Sequence, residues 1–389
     1  MPNYAAWRCF SCLGLGLLLA LPAAAGPGTV RIQAQEDGRL VVTGNDLHLV
    51  YDPHGCPTRN ATLTSESRIH GQSLLDAHAV WGGPHLRWVG YLEGYGVHSQ
   101  LPWRARVVQT EGSAAGFVTR VATTHFWDAA VTHVFFWDLP EVILFDVELI
   151  KRRDGPGSEM DGVAMCAFST DRYLYNGMRL YNDDAGPYQV SFGHGPAGTL
   201  TGSDPVNGIF LKQRGGSRYV TPHLTRNLVL AQRDGENGPA SPPCGWIFGG
   251  RFGSAVTTDD GGYYAHMVVV HPEGEPLHAG QSAHLQVLWF QGGAGNLERL
   301  EQVFALEESF RRPLVVETAH EHGRNVVYAR ETVGLARPWQ IVILAPQYRA
   351  LATRYPLFRG PGITALLLRD VRPGSRRLVG YLPADKGGA

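Results

Sequence analysis

Through most of this 389-residue chain, apolar and polar positions alternate with a period of two. TVRIQAQ, RLVVTG, DLHLVYD, WRARVVQTE, GFVTRVATTHFWD, AVTHVFFWD, EVILFDVELIK, GIFLKQ, RNLVLAQ, GYYAHMVVV and SAHLQVLWF combine that alternation with β-branched and aromatic residues, which predicts strands. DPHG, DLPE, RDGPG, NDDAGP, RDGENGP and DDGG lie among them and carry turn chemistry. Strands without intervening helices pair antiparallel, so the pattern predicts a mainly β fold, a sandwich or a barrel. One segment changes period. NLERLEQVFALEESFR, residues 296–311, spaces Leu297, Leu300, Val303, Phe304 and Leu306 as a helix face, and Pro313 stops it. Beyond it VVETAHEH, RNVVYARETV, WQIVILA, ITALLLRD and RRLVGYL predict a second, smaller set of strands.

The first residues read as a secretory signal. Arg8 precedes a short apolar run, Leu13 to Leu21, and Ala23-Ala24-Ala25 supplies small residues for cleavage before Gly26. The run is too short to span a bilayer, so an exported protein without a membrane anchor after cleavage is expected, secreted or periplasmic. The expected division is a signal peptide over 1–25, a β domain over 26–293, a connecting helix over 294–312 and a C-terminal β domain over 313–389. Cys9 and Cys12 leave with the signal; Cys56, Cys166 and Cys244 remain, enough for one disulfide at most and no scaffold of them. A net charge of -1 argues against a nucleic-acid partner. Of the 34 basic residues only Lys151, Lys212 and Lys386 are lysines. Arginine's planar fork suits carboxylates and sugar hydroxyls, although GC-rich codon usage gives the same bias.

Candidate chemistry concentrates in AVTHVFFWDLPEVILFDVELIK, residues 130–151. If Asp138 opposes Glu141 across an even-length loop, His133 faces Asp146, and Trp137 and Glu148 share that face. A histidine beside a carboxylate is held in one tautomer with a raised pKa, and the second carboxylate serves as partner acid or base. An odd loop length would put His133 and Asp146 on opposite faces. A half-solvated face that merely balances charge carries the same pattern.

A second candidate is the stretch AVWGGPHLRW, residues 79–88, where a ligand loop would present His85, Arg87 and Trp88, or Trp81 would simply cap a core. In TDRYLYNGMRLYNDD, Tyr173 beside Arg172 suits a phenolate base with a guanidinium that neutralises a uronate carboxylate; an exposed edge strand reads alike. His320 and His322 of AHEHG lack an evident third ligand, so no metal and no cofactor is expected. GxSxG, P-loop and HExxH patterns are absent. Asn60-Ala61-Thr62 is a glycosylation sequon.

DLHLVYDPHGCPTRNATL reads as an opening hairpin between sheets, AVTHVFFWDLPEVILFDVELIKRRD as central paired strands, and HLQVLWFQGG as a closing strand. On these, the region from about Thr29 to Gly293 resembles the galactose-mutarotase-like β-supersandwich superfamily, shared by aldose epimerases, polysaccharide lyases and domains of glycoside hydrolases. The resemblance implies a large antiparallel β-supersandwich with a carbohydrate-facing concave sheet; the one helix and the smaller C-terminal β domain beyond it are read from the pattern of positions. The aldose epimerase's Asn-His segment and closing glutamate motif are not found, nor is the long helical domain that precedes the sandwich in several lyases. The expected function is action on a poly- or oligosaccharide, by β-elimination if the substrate is acidic. His133, Asp146, Glu148 and Tyr173 are the candidate catalytic residues; His85, Arg87, Trp88, Trp137 and Arg172 are the candidate substrate contacts. The alternative is a non-catalytic carbohydrate-binding or cell-envelope structural β-sandwich protein. Oligomeric state is not legible in the sequence.

Overall fold

The computed structural model describes residues 28–52, 62–64, 66–73, 85–89, 104–122, 127–152, 163–168, 178–181, 188–190, 210–214, 217–221, 228–233, 243–249, 252–259, 266–272, 278–293 and 295–383. The expected signal segment lies outside them. Among the described residues the chain is mainly β, with one α-helix and antiparallel sheets of which none closes into a barrel. The predicted strands are found, with one division: GFVTRVATTHFWD is not a single strand, because Ala114–Ala122 ends before Trp127–Phe136 begins. Glycine-interrupted runs that do not show the alternation are strands as well, Cys244–Gly249 and Phe252–Asp259 among them.

A nine-stranded sheet organises the molecule. It contains the hairpin of Trp127–Phe136 and Val142–Lys151, flanked by Ala114–Ala122 and then the edge strand Arg104–Gln109 on one side and on the other by the middle strand Ser282–Gln291, with four more strands beyond it. Its two faces bury different partners. On one face Phe117, His133 and Phe135 meet Tyr51, which comes from the seven-stranded N-terminal sheet, and Phe145 packs edge-on against His133. On the other, Val134, Phe136, Leu144 and Leu288 form one apolar cluster with Val303 and Phe310 of the helix and with Trp339, Phe358 and Leu367 of the C-terminal strands. Backbone and ring come unusually close in that contact. A Cβ on Gly116 would fall 2.5 Å from the Phe358 ring, so only glycine lets Phe358 seat against the sheet.

The helix spans Leu300–Arg311, four residues shorter at its start than the periodicity predicts. Asn296 is drawn out of it: its backbone N–H donates to Glu141, and its side-chain amide donates to Glu141 Oε2 at 3.3 Å. Gln302 Oε1 then accepts from the backbone N–H groups of Glu298 and Arg299 at 2.7 and 3.0 Å, satisfying donors a helix start leaves open. At the far end, buried Arg337 donates to the Ser309 carbonyl at 3.1 Å and to Glu331 at 3.0 Å, which ties the helix to the C-terminal strands. Burial pushes the Glu331 carboxyl up, but the backbone N–H groups of Val333 and Gly374, Arg337 and the N–H of Gly334 outweigh it and hold the group at about 2.

The hairpin register departs from the even-loop expectation. Thr132 opposes Asp146, His133 opposes Phe145, and Ala130 opposes Glu148. Residues 137–141 form a five-residue loop of two consecutive turns, in which Leu139 N–H bonds to Phe136 O and Val142 N–H to Leu139 O. The Trp137 N–H turns away to Ser113 O at 3.0 Å. Glu141 is fully buried and accepts from His70 Nε2 at 2.9 Å as well as from Asn296. Glu141→Ala would take the acceptor from His70 Nε2 and from the Asn296 backbone N–H, leaving His70 with Asp46 and the Asn296 side chain with the Asp138 carbonyl; the expected cost is about 3 kcal/mol. Urea denaturation checks this, and a loss below ~1 kcal/mol would mean the loop does not need the carboxylate.

Candidate functional site

The same register decides which side chains meet in a cleft. Val118, Thr132 and Asp146 lie in successive strands on the face that also carries the apolar cluster, and Arg120, Ala130 and Glu148 lie one step further along. Ser282–Gln291 adds His284 opposite Glu148 and Gln286 opposite Asp146. The C-terminal strands cover one end of this face but stop short of these residues, where Pro361 and Gly362 form a wall. The result is a cleft of about 240 Å³, open on one side and lined by Arg120, Thr132, Asp146, Glu148, His284 and Gly362. Gly362 leaves room, because a Cβ there would sit 3.5 Å from Asp146 Oδ2 and 3.6 Å from the His284 ring.

His284 is the titrating centre. Its Nδ1 lies 3.6 Å from Asp146 Oδ1 and its Nε2 lies 3.9 Å from Glu148 Oε1. Asp146, buried, accepts from Gln286 Nε2 at 2.8 Å and is thereby fixed in place. The Asp146 carboxylate beside Nδ1 raises the His284 pKa; partial burial works against this, and the charge of Glu148 adds to the rise. Arg104 and Arg106 oppose Arg120 and Val118 in the next strand, so three arginines line one rim of the face. Such a site can move a proton at Nε2 while a neighbouring guanidinium fork holds an anion.

Of the residues expected from sequence, the structure brings Asp146 and Glu148 together on one face. His133 is on the other. It is fully buried, stacked on Phe117 with ring centroids 4.3 Å apart, and no carboxylate is its cross-strand partner. Burial lowers its pKa to about 3, the opposite of the rise expected beside Asp146. The physical reason is the odd loop, which turns His133 inward by one register step. Trp137 is in the hairpin loop and does not line the cleft; its ring lies against Gly28, whose Cβ would fall 1.7 Å from it. His85, Arg87 and Trp88 lie in an edge strand, His85–Val89, of a separate six-stranded sheet, where a ligand loop was expected; Pro84 just before it suits an edge. The pairing with Val163–Phe168 shifts register at Arg87. Arg172 and Tyr173 lie outside the described residues.

Sequence reasoning missed His284, Arg120 and Thr132. AHLQ shows a histidine two positions from Gln286, but only the pairing of Ser282–Gln291 with Val142–Lys151 reveals that both meet the hairpin carboxylates.

Compared with solved structures, the chain is similar in fold to galactose 1-epimerase from Lactobacillus acidophilus NCFM, at 10% identity over 67% of this chain and 97% of that one, with a TM-score of 0.37. It is also similar to the GalM/aldose epimerase homologue from C. elegans, at 11% identity over 68% and 98%, TM-score 0.31. A heparan sulfate lyase HepC mutant from Pedobacter heparinus matches at 9% identity over 94% of this chain and 42% of that one, TM-score 0.29. No protein-family model matches the sequence, and no curated protein does.

Two outcomes test the assignment of faces. Because His133 has its folded pKa near 3, below the ordinary 6.5, the unfolded chain binds a proton across that interval that the folded chain refuses. Stability therefore falls as pH drops from 6.5 toward 3, by about 2 kcal/mol between pH 7 and pH 5 from this group alone. In His133→Phe that part of the pH dependence should vanish in urea titrations at the two pH values; an unchanged slope would show that His133 is not buried neutral. Gly362→Leu should fill the cleft and abolish ligand binding there while leaving the unfolding free energy from urea titration within ~1 kcal/mol of the parent.

Proposed function

We propose that the protein is an exported carbohydrate-active protein that acts on an acidic poly- or oligosaccharide in the His284 cleft. The observation that carries this reading is the His284 imidazole set between Asp146 and Glu148, beside Arg120, in a cleft open on one side. Carboxylates, a threonine hydroxyl and arginine together match a ligand that offers hydroxyl donors and an acid group. Val118 and Pro361 supply apolar surface for the C–H face of a sugar ring.

β-Elimination uses these groups economically. Arg120 neutralises a substrate carboxylate, which acidifies the adjacent C–H. Neutral His284 takes that proton at Nε2 while Asp146 orients the ring through Nδ1. The C–H electron pair forms a carbon–carbon double bond, the glycosidic C–O bond breaks, and the leaving oxygen collects a proton from water. Hydrolysis by paired carboxylates fits less well, because Asp146 is 3% exposed and already bonded to Gln286.

The test incubates the protein with uronate-containing and neutral polysaccharides and follows ultraviolet absorbance of an unsaturated product together with reducing ends. His284→Ala should remove the absorbance, and His133→Phe should keep it. The base works when neutral, so the rate falls as pH drops through the raised His284 pKa. Asp146→Asn removes the largest cause of that rise, so its acid limb should move to lower pH. Reducing ends without absorbance would replace elimination with hydrolysis. Retention on a polysaccharide column with neither product would favour a binding protein.

A further inference from the structure

A second cleft, larger than the first, lies at the hairpin-loop end of the same face. It encloses about 690 Å³ between the C-terminal strands and the loop, and its walls carry Arg354, Arg369, Arg376 and Arg377 against Asp138 and Asp370. Four guanidiniums to two carboxylates leave the cleft net positive in a chain whose formal charge is -1. Two of the arginines are committed to the fold. Arg376 bonds Glu317 at 2.8 Å and lies 3.5 Å from the centre of the Tyr328 ring, and Arg377 donates to the carbonyls of Arg369 and Asp370. The other two are available. Arg369 reaches Asp138 only at 3.7 Å, and exposed Arg354 lies over the Tyr355 ring with no carboxylate partner among the described residues.

We propose that this cleft binds an acidic glycan, with Arg354 and Arg369 taking its carboxylate or sulfate groups. Tyr355 and Leu378, which line the same cleft, offer the apolar surface on which a sugar ring lies. Asp138 and Asp370 accept hydroxyl donors, which a glycan presents on each ring between its acid groups. That alternation of acceptor and donor distinguishes the cleft from a surface for a phosphodiester backbone, where a carboxylate only repels.

This inference rests on the carbohydrate reading of the His284 cleft and extends it. Gly362 walls the first cleft, and Leu367 and Arg369, further along the same run of chain, line the second. The strand begins at Thr364, just after Gly362, and the five steps from Thr364 to Arg369 span roughly 17 Å. That strand, Thr364–Val371, is buried over most of its length, so it fixes the spacing of the two clefts, and a polymer long enough to cross between them would be held by the arginine cleft while the His284 cleft acts on it.

The experiment passes the intact protein, Arg354→Ala/Arg369→Ala, and His284→Ala over immobilised polygalacturonate, dextran sulfate, neutral dextran and single-stranded DNA in a salt gradient. Turnover of long and short polygalacturonate chains is measured in parallel. The double variant should bind the acidic glycans about ten-fold more weakly for each guanidinium lost and elute at lower salt. It should also raise KM for long chains and leave kcat and short-chain KM unchanged. His284→Ala should keep full retention. Preference for polygalacturonate over dextran sulfate, or the reverse, identifies the acid group and supports the proposal either way. Unchanged retention and long-chain KM in the double variant would overturn it while leaving the His284 reading intact. Retention lost in the double variant, with no turnover by any form, would uphold the arginine cleft and remove the catalytic reading. Retention on DNA but on neither acidic glycan would overturn the glycan assignment.

Discussion

Beneath the hairpin loop, a buried carboxylate is satisfied from three directions. Glu141 takes a bond from His70 of the N-terminal sheet, one from the Asn296 backbone and one from the Asn296 side chain, while its own carbonyl accepts the Gln291 N–H at 2.9 Å. A charge without water must be paired on all sides, so the loop has little freedom to lengthen or shorten. Five residues between Phe136 and Val142 set Thr132 against Asp146. Everything on both faces of the nine-stranded sheet follows from that count, because the side-chain period along a strand is two.

Sequence pattern reveals the elements well and their pairing poorly. Alternation in EVILFDVELIK or SAHLQVLWF is a local property, since one face of the strand is buried whatever its neighbour. The helix is also local, apart from its first turn, where a long-range bond to Glu141 removes Asn296. Register is different. Leu139-Pro140 between Asp138 and Glu141 reads as a two-residue turn, and nothing nearby in sequence says that His70, 71 positions upstream, will claim Glu141. For the site, Asp146 and Glu148 were legible because residues two apart on a strand share a face. Their histidine was not, since His284 arrives from a strand more than 130 positions away. Sequence does place His133 near Asp146; what it lacks is the sign of the environment, core for one and cleft for the other.

That difference in environment separates two histidines of one sheet. His133 is wrapped by Phe117, Phe145 and Tyr51, so its ring behaves as a flat apolar body held neutral. His284 keeps one edge toward a buried carboxylate and another toward solvent, so its charge state responds to what enters the cleft. The sheet thus uses the same residue type once as packing and once as a proton carrier.

The contact between Gly116 and Phe358 also orders events in time. Gln109 bonds the Leu357 carbonyl across 248 positions, and among the described residues the outer face around Val134 and Leu144 is covered by segments from the helix onward. Until those last segments exist, a broad greasy surface stands open on an otherwise paired sheet, and the wall of the first cleft is missing. Such distant pairings are entropically slow to close. A chain ending before the helix would therefore expose that apolar surface and lack the Pro361–Gly362 wall, so the cleft is complete only with the final strands in place.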